Sequence, residues 1–372
     1  MSEWKECQLG DLITFQRGHD LPKTKMQGGK YPVVGSNGII GYHNEYTTEA
    51  PSITIGRSGN VGKPFLFKGR SWSHNTSLYI KEYKAVDPIF IYYFLQTLDL
   101  GNYAGGSAVP TLNRNHIHTL NVYVPPNIDE QRRIGAVLSV IDDKIELNTA
   151  INENLEQQAQ AYFADLFITN ANPNWRIGTI SDLGNVVGGG TPSKKVEEYY
   201  TSDGIAWITP KDLSNDKSKF VAHGETDITE LGLSKSSATL MPKGTVLFSS
   251  RAPIGYIAIA DGQVCTNQGF KSIVPFDNVG TAFVYYFLKE NLSAIENVAS
   301  GSTFKEVSGS TMKNFTATIP DNDTLAEFQR FCSPLFEQQR ALEYENRYLS
   351  SIRDTLLPKL MNGEIDVSAV RI

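Results

Sequence analysis

The stretch WKECQLGDL at residues 4–12 reappears as WRIGTISDL at residues 175–183. Both copies begin with a tryptophan and a basic residue, and both end on an Asp-Leu pair. A repeat has to be sought before single elements are assigned, because a missed repeat leads to a wrong fold. The two stretches therefore raise the hypothesis that the chain is an internal duplication.

Further matches follow these stretches in the same order. The run ITIGRSGNVG (53–62) matches LFSSRAPIG (247–255), which aligns Arg57 with Arg251 across a one-residue gap. The later matches are Asn75 with Asn267, IYYFL (91–95) with VYYFL (284–288), and Gly106-Ser107 with Gly301-Ser302. Each match is weak alone, but a shared order is hard to obtain by chance. The sequence therefore predicts two related units.

Each unit has the sequence pattern of a β-rich domain. Short runs such as SITIG, SLYIK, TVLFSS and YIAIA are separated by Gly, Pro, Asn and Asp, which is typical of strands joined by turns. DPIFIYYFLQTL (87–98) and AFVYYFLKENL (282–292) instead have apolar residues at helical spacing. Their Tyr-Tyr-Phe runs could stack on nucleic-acid bases, but on a helix they favour core packing.

A long amphipathic helix is predicted after each unit. From residue 134 to 166 the chain has apolar or small residues at alternating steps of four and three, the heptad pattern of a coiled coil about 50 Å long. A second such pattern runs from Leu325 to Leu356. Each helix is the obvious partner of the other. The pattern is interrupted by polar residues, which are Asn148 and Asn152 in the first helix and Gln339, Asn346 and Arg353 in the second.

These polar positions have two readings. Buried, they fix the register and the partner of the helix pair; alternatively, they belong to a solvated stretch of partly exposed helix. Pro334 lies inside the second pattern, and an interior proline breaks helices, so we expect the second coil to begin or kink there.

Composition is that of a folded, two-domain chain. The protein has 372 residues, 40% of them hydrophobic, and a net charge of −6. Residues 1–127 carry 12 basic and 9 acidic side chains, whereas residues 128–170 carry 3 and 8, so acidity is concentrated in the first helix. Three distant cysteines indicate neither disulfides nor a zinc site. With no leader or membrane span recognisable, we expect a cytoplasmic chain without membrane contact.

Motifs for covalent chemistry are missing from the sequence. No P-loop, GxSxG, HExxH or EF-hand pattern occurs. His116 and His118 are expected on one face of a strand, but no third ligand stands near them, so we expect no metal. The sequence predicts no catalytic residue and no cofactor bound by this chain.

The closing stretch LLPKLMNGEIDV (356–367), the run GSNGIIGY (35–42) and the turn formed by Gly56, Arg57 and Gly59 complete a recognisable pattern. With the order of elements, they make the chain resemble the specificity (S) subunit of type I restriction-modification systems over essentially its whole length. The second copy has ITPKDLSN (208–215) where the first has GSNGIIGY, and Pro253 where the first has Gly59. In such subunits each copy is expected to read a different half of a DNA target, and divergence of this kind is what two different half-sites require.

The resemblance implies an α+β fold with pseudo-two-fold symmetry, in which two long antiparallel coiled-coil helices separate two β-rich target recognition domains. The expected segments are a first recognition domain (1–127), a helical spacer (128–170), a second recognition domain (171–321) and a second spacer (322–372). Each recognition domain is expected to read half of a split double-stranded DNA target, with the helices holding the readers about one duplex turn, ~34 Å, apart.

The resemblance also implies partners. The helices are expected to bind two modification (methyltransferase) subunits, which carry S-adenosylmethionine and methylate adenine, and restriction subunits join in some systems. The chain itself is then a non-catalytic subunit that appears complete at both ends.

Candidate DNA contacts follow from residue type. Arg57 and Arg251 follow strand ends and suit guanine or phosphate, and Asn75, Asn267 and Gln268 suit adenine, although asparagine in a turn is as often an Asx cap. Ser107 and Ser302 lie in Gly-Ser turns. The lysines that suit phosphates are Lys23, Lys25, Lys63, Lys194, Lys195, Lys211 and Lys305.

Two other functions remain open. One is a freestanding tandem β-domain protein that binds a ligand such as carbohydrate and dimerises through its coils. The other is an enzyme half of a fused restriction-methylation polypeptide, which the absence of catalytic motifs disfavours. The first alternative predicts neither salt-dependent duplex binding nor association with a methyltransferase.

Overall fold

A computed structural model describes residues 4–105, 110–251, 253–301 and 305–371. The chain forms two compact units. Unit 1 comprises residues 1–146 and 347–372, and unit 2 comprises residues 147–346. Each unit therefore combines one β-rich globular region with parts of both long helices. The division into four segments stays a prediction.

The first globular region is built mainly of short strands and ends in a long helix. The strands are β1 (Lys5–Gln8), β2 (Ile13–Arg17), β3 (Tyr31–Gly35), β4 (Gly38–His43), β5 (Ser52–Gly56), β6 (Pro64–Phe67), β7 (Trp72–Ser73), β8 (Ser77–Tyr83), β9 (Ala104–Gly105), β10 (Thr111–Leu112) and β11 (Asn121–Val124). The helices are α1 (Leu9–Leu12), α2 (Pro88–Gln96), α3 (Arg114–His118) and α4 (Ile128–Ala164), the last continued by a π-helical turn at Asp165–Thr169.

The second globular region and its long helix have the same general order. The strands are β12 (Arg176–Thr179), β13 (Gly184–Gly188), β14 (Tyr200–Thr201), β15 (Ile205–Ile208), β16 (Phe220–Val221), β17 (Asp227–Ile228), β18 (Val246–Phe248), β19 (Ile257–Ala260), β20 (Val264–Thr266), β21 (Lys271–Pro275) and β22 (Thr316–Ile319). The helices are α5 (Pro210–Asn215), α6 (Glu230–Ser234), α7 (Thr281–Glu290), α8 (Leu292–Asn297), α9 (Gly309–Lys313) and α10 (Asn322–Met361).

Sheet topology confirms the duplication. In unit 1 one sheet has the strand order β2-β8-β5-β6, and in unit 2 the corresponding strands have the order β13-β21-β18-β19, with β16 added at the edge. A short separate ladder accompanies each sheet, β1 with β11 and β12 with β22. The two copies differ where their sequences differ, because the GSNGIIGY run forms a β3-β4 hairpin and ITPKDLSN forms helix α5.

The Tyr-Tyr-Phe runs lie on α2 and α7 and belong to the core, as their helical spacing predicts. Asp87 caps α2 by accepting hydrogen bonds from the Ile89 and Phe90 amides, and Pro88 supplies the preset backbone of a first helical residue. Tyr93 and Tyr286 are each 1% exposed. Burial of a large apolar side chain stabilises a fold by about 1.5–3 kcal/mol, so these helices anchor the two cores.

The second tyrosine of each run binds a carboxylate on α4. In unit 1 the Tyr93 hydroxyl donates to Asp142 at 2.7 Å, and Asp142 pairs with Arg353 of α10 at 2.8 Å. In unit 2 the Tyr286 hydroxyl donates to Glu156 at 2.8 Å, and Glu156 pairs with Lys219. The cation thus comes from the helix pair in unit 1 and from the globular region in unit 2.

The long helices pair antiparallel within unit 2, and their polar positions are buried or half-buried contacts between them. The Asn148 side chain is fully buried and donates to Asn346 Oδ1 at 2.9 Å. Asn152 and Gln339 each bond the other's backbone carbonyl. This confirms the reading of these residues as pairing contacts rather than as a solvated stretch.

Two expectations from the sequence need correction. The helix α10 begins at Asn322 and continues through Pro334, so the coil does not begin at the proline, and a kink there stays a prediction. Burial of Cys332 and Phe336 on either side of Pro334 supplies packing that offsets the backbone hydrogen bond a proline lacks. His116 and His118 lie on helix α3 instead of a strand, because Asn113 caps a helical turn at this point.

The ends of unit 1 pack together. Trp4 is 8% exposed and shares a core with Leu360, Met361 and Val367 at the other end of the chain. Gly363 turns the backbone with a φ of 77°, close against the Trp4 ring. In the described part of the chain, no helix is both long and apolar enough to span a membrane.

Candidate nucleic-acid interface

Unit 1 contains a cleft of about 530 Å³ with several basic side chains, which we term the arginine cleft. It lies where the ends of β2, β5 and β10 meet helix α3. Its polar lining comprises Arg17, Arg57, Thr111, Asn113, Arg114 and His116. Three guanidinium groups in one cleft of an acidic protein indicate a site for an anionic partner.

Backbone hydrogen bonds fix Arg57 in the lining of this cleft. Its amide donates to the Thr76 carbonyl at 2.8 Å, and its carbonyl accepts from the Leu112 amide at 2.8 Å. The preceding Gly56 leaves no space for a side chain, because a Cβ atom would lie 1.7 Å from the Asn60 carbonyl oxygen. The backbone position from which the half-buried Arg57 side chain extends is therefore fixed.

The other basic residues of the arginine cleft differ in their partners. Arg17 pairs with Asp20 at 3.0 Å, and Asp20 also accepts a hydrogen bond from Asn75. The bonds from Asn75 and Arg17 lower the pKa of Asp20. Asn75, expected to contact adenine, is thus engaged by a neighbouring carboxylate. Within the described residues, no hydrogen bond or ion pair involves the Arg57, Arg114 or His116 side chains.

Unit 2 contains a different cleft of about 410 Å³, which we term the amide cleft. Four of the predicted DNA contacts line it together, namely Lys194, Lys211, Asn267 and Gln268. Its remaining polar lining includes Thr191, Thr209, Asp212, Glu225 and Thr226. Residues separated by more than seventy positions are brought together here because β15 and β20 are parallel neighbours.

Most polar groups of the amide cleft already have a partner. Asn267 accepts a hydrogen bond from the Gly269 amide at 2.8 Å, the Asx turn that was its alternative reading. Gln268 accepts from the Thr191 hydroxyl. Lys211 pairs with Glu225 at 2.6 Å, a hydrogen bond that raises the pKa of the lysine. Two lysines and two carboxylates line the cleft, which is therefore nearly neutral. In the part of the chain that the structure describes, neither the Asn267 nor the Gln268 side-chain amide donates a hydrogen bond.

Arg251, the counterpart of Arg57, lies outside the amide cleft. Its guanidinium pairs with Glu306 at 3.1 Å, and Lys271 approaches the same carboxylate at 3.5 Å. Burial raises the pKa of Glu306, but hydrogen bonding and charge from Arg251 and Lys271 outweigh it and lower the pKa. The two arginines align in sequence and differ in surroundings.

The remaining predicted contacts are dispersed. Lys23 and Lys25 are exposed on a 3-10 turn, and Lys195 and Lys305 are exposed outside both clefts. Lys63 lies over the Phe65 ring and lines a separate depression beside Asp142 and Arg353. Ser107 and Ser302 lie outside the described residues.

Sequence reasoning missed three lining residues of the arginine cleft, Arg17, Arg114 and His116. They come from elements far apart in the chain, and the excess of basic side chains in residues 1–127 was the only signal of them. His118, next to them, is structural instead, because its Nε2 accepts a hydrogen bond from the Phe15 amide at 2.9 Å and burial lowers its pKa.

Residues 1–157 and 172–343 match a family model described as the type I restriction modification DNA specificity domain. The chain belongs to the type I restriction-modification specificity family. The match occurs twice, once over each globular region and its adjoining helix, and it confirms the resemblance drawn from the sequence. The function named for the family is DNA specificity.

Individual members of the specificity family support the assignment. The chain is 42% identical over 195 residues to the MjaIX specificity subunit of Methanocaldococcus jannaschii, which covers 52% of this chain and 44% of that protein. It is 23% identical over 382 residues to the EcoR124I/EcoR124II specificity subunit of Escherichia coli, covering 97% and 89%. The chain thus spans less than half of the first relative's length and most of the second's.

The fold of this specificity-family member also has a solved counterpart. The S subunit of a type I system from M. genitalium superposes with a TM-score of 0.65 at 16% identity, covering 96% of both chains. The similarity confirms the α+β fold with two β-rich regions and two long antiparallel helices. A freestanding carbohydrate-binding protein is not favoured by any of these matches.

Proposed function

We propose that the chain is the DNA-recognition subunit of a type I restriction-modification complex, with each globular region reading one half of a split target. The observation that carries this proposal is the presence of a polar cleft in each unit, with different chemistry in the two. Such a pair of clefts suits two unlike half-sites in double-stranded DNA.

The long helices are assigned the role of spacer and docking platform. Their polar contacts fix one register of the pair, as a spacer between two readers requires. By this proposal they bind two methyltransferase subunits, and restriction subunits join where the system has them. S-adenosylmethionine is then held by the methyltransferase subunits, and this chain catalyses no step itself.

Methylome sequencing tests the proposal directly. Cells that carry this chain with its neighbouring methyltransferase should acquire methylated adenines in a split motif, and cells without the chain should not. Deletion of this chain alone, with the methyltransferase retained, is the matched control. Methylation that lacks a split motif, or that persists after the deletion, would contradict the proposal.

The tandem ligand-binding alternative makes a different prediction for the coils. It requires their apolar stripe to be available for a second copy, whereas Asn148 and Asn346 already meet within one chain. Measurement of duplex binding against salt separates the two functions, because neutralised phosphates give a steep decrease in affinity as salt rises. A salt-independent interaction with carbohydrate would favour the alternative.

A further inference from the structure

The two clefts differ in uncompensated charge. Arg57 and Arg114 line the arginine cleft without an ion pair among the described residues. In the amide cleft Lys211 is neutralised by Glu225, Lys194 has no ion pair within the described ranges, and the Asn267 and Gln268 oxygens already accept hydrogen bonds. A duplex therefore meets free guanidinium groups in unit 1, and amide donors with one free lysine in unit 2.

Arg57 has the features of a base reader rather than a phosphate clamp. Its backbone is fixed on both sides, and its side chain is half-buried and lines the cleft. A guanidinium presents two parallel N–H donors that match guanine O6 and N7, whereas an ammonium does not. Arg114 and His116 line the same cleft but are exposed, and exposed basic residues suit the phosphate contacts that position a duplex.

Arg251 cannot repeat this role as it stands. The Glu306 carboxylate pairs with the Arg251 guanidinium through Nε and neutralises its charge, and the backbones of the two residues form an isolated β-bridge. Lys271 adds a second contact to the same carboxylate, so the ion pair is part of a three-residue network. Sequence alignment therefore equates two arginines whose available hydrogen-bond donors differ.

We propose that Arg57 reads a guanine in the half-site of unit 1, and that Arg251 is a structural residue without a base-reading role. The half-site of unit 2 is read from the amide cleft instead. This inference rests on the proposed function and extends it, because it names the base that one half of the target must contain.

The test is selection of DNA by the full-length chain. The probes are pools of duplexes in which two randomised segments are separated by spacers of several lengths. Three proteins are compared, the wild type, Arg57→Lys and Arg251→Lys. Both substitutions keep the positive charge and remove the two-pronged geometry of the guanidinium, so they are matched to each other.

The wild type should select a split motif with a G·C pair at one position of one half. Arg57→Lys should reduce discrimination at that position by about tenfold or more, with the other half unchanged. The unchanged half also shows that the variant is folded. Arg251→Lys should leave both halves unchanged.

Three results would overturn the assignment while leaving the proposed function intact. They are an unaltered motif for Arg57→Lys, an equal loss of affinity for all duplexes, and a changed base preference for Arg251→Lys. If the wild type selected no split motif in any pool, the proposed function would fail and this inference with it.

Discussion

Lys219 is a deeply buried cation of unit 2, only 7% exposed. Its ammonium group pairs with Glu156, donates to Gln339 at 2.8 Å and lies 4.0 Å from the centre of the Phe336 ring. Burial lowers the pKa of Lys219, and the charge of Glu156 opposes that effect. The contact joins the globular region to both long helices of its unit.

Loss of one partner of a buried ion pair costs more stability than the pair itself provides, because the other charge stays buried. We expect Lys219→Met to lower the free energy of unfolding by about 3 kcal/mol. The matched control is Lys211→Met, whose exposed pair with Glu225 should contribute little because solvent screens it. Urea unfolding followed by tryptophan fluorescence measures both. Equal, small effects would show that the pair is not a structural link.

Glu156 makes the stability of unit 2 sensitive to acid. Burial alone would raise its pKa, but the charge and hydrogen bonds of Lys219 and Lys289 lower it to about 2, from an ordinary value of 4.5. A depressed carboxyl pKa contributes stability that is complete above the unfolded value and is lost as the pH falls through the folded value. The contribution should therefore disappear between about pH 4.5 and pH 2.

The variant Glu156→Gln provides the comparison. Wild type should be the more stable protein at pH 6, and the difference in thermal midpoint between the two should shrink as the pH falls to about 2. Thermal unfolding by circular dichroism at several pH values measures it. A difference that stays constant over this window would show that Glu156 is not the titrating group.

Most contacts between individual side chains could not be predicted from the sequence. Lys219 and Glu156 stand in different predicted segments, and nothing in either neighbourhood marks the pair. The same holds for Arg251 and Glu306, whose pairing decides whether the arginine is available to DNA. Residue type gave the chemistry of each group, but only folding determines which charge already has a partner.

At the scale of elements, the polar positions of the helix pair are the informative feature. Asn148 donates to both Glu345 and Asn346, across the antiparallel pair and away from solvent. A polar group in an otherwise apolar stripe lowers stability but penalises every other register, in which it would be buried without a partner. The register of the spacer therefore rests on very few side chains.

Substitution of Asn148 tests this role. Asn148→Leu should lower the free energy of unfolding by about 1–3 kcal/mol, because the hydrogen bonds that Asn148 donates across the helix pair are lost. The control is Gln160→Leu on the exposed side of the same helix, which should change it by less than about 0.5 kcal/mol. A stabilising effect of Asn148→Leu would mean that packing, rather than hydrogen bonding, determines the helix pair.

Elements were the scale at which the sequence was most informative. The periodic stretches predicted α2, α7 and both long helices, and the repeated runs predicted the strands β5, β8, β18 and β19. The errors arose where local rules competed with context. Tertiary packing carries α10 through Pro334, and the Asn113 cap turns a strand-like stretch at His116 into a helix.

For the whole molecule, the two units are built differently from the chain. Unit 2 is one continuous stretch, whereas unit 1 needs residues from both ends, with Leu360, Met361 and Val367 in its core. Deletion of residues 351–372 should therefore unfold the core of unit 1 and spare unit 2. Hydrogen exchange read by mass spectrometry should show loss of protection around Trp4 and α2 alone. Protection lost equally in α7 would show that the units fold as one.

The origin of the cation beside each core tyrosine bears on whether a globular region can be exchanged for that of another specificity subunit. In unit 1 both Asp142 and Arg353 belong to the helices, so a foreign globular region has only to supply a tyrosine hydroxyl. In unit 2 the helix supplies Glu156, and the globular region must bring the lysines that neutralise it. We expect exchange of the first globular region to give folded chimaeras more readily. Exchange of the second should succeed only when the incoming region carries lysines at the positions of Lys219 and Lys289.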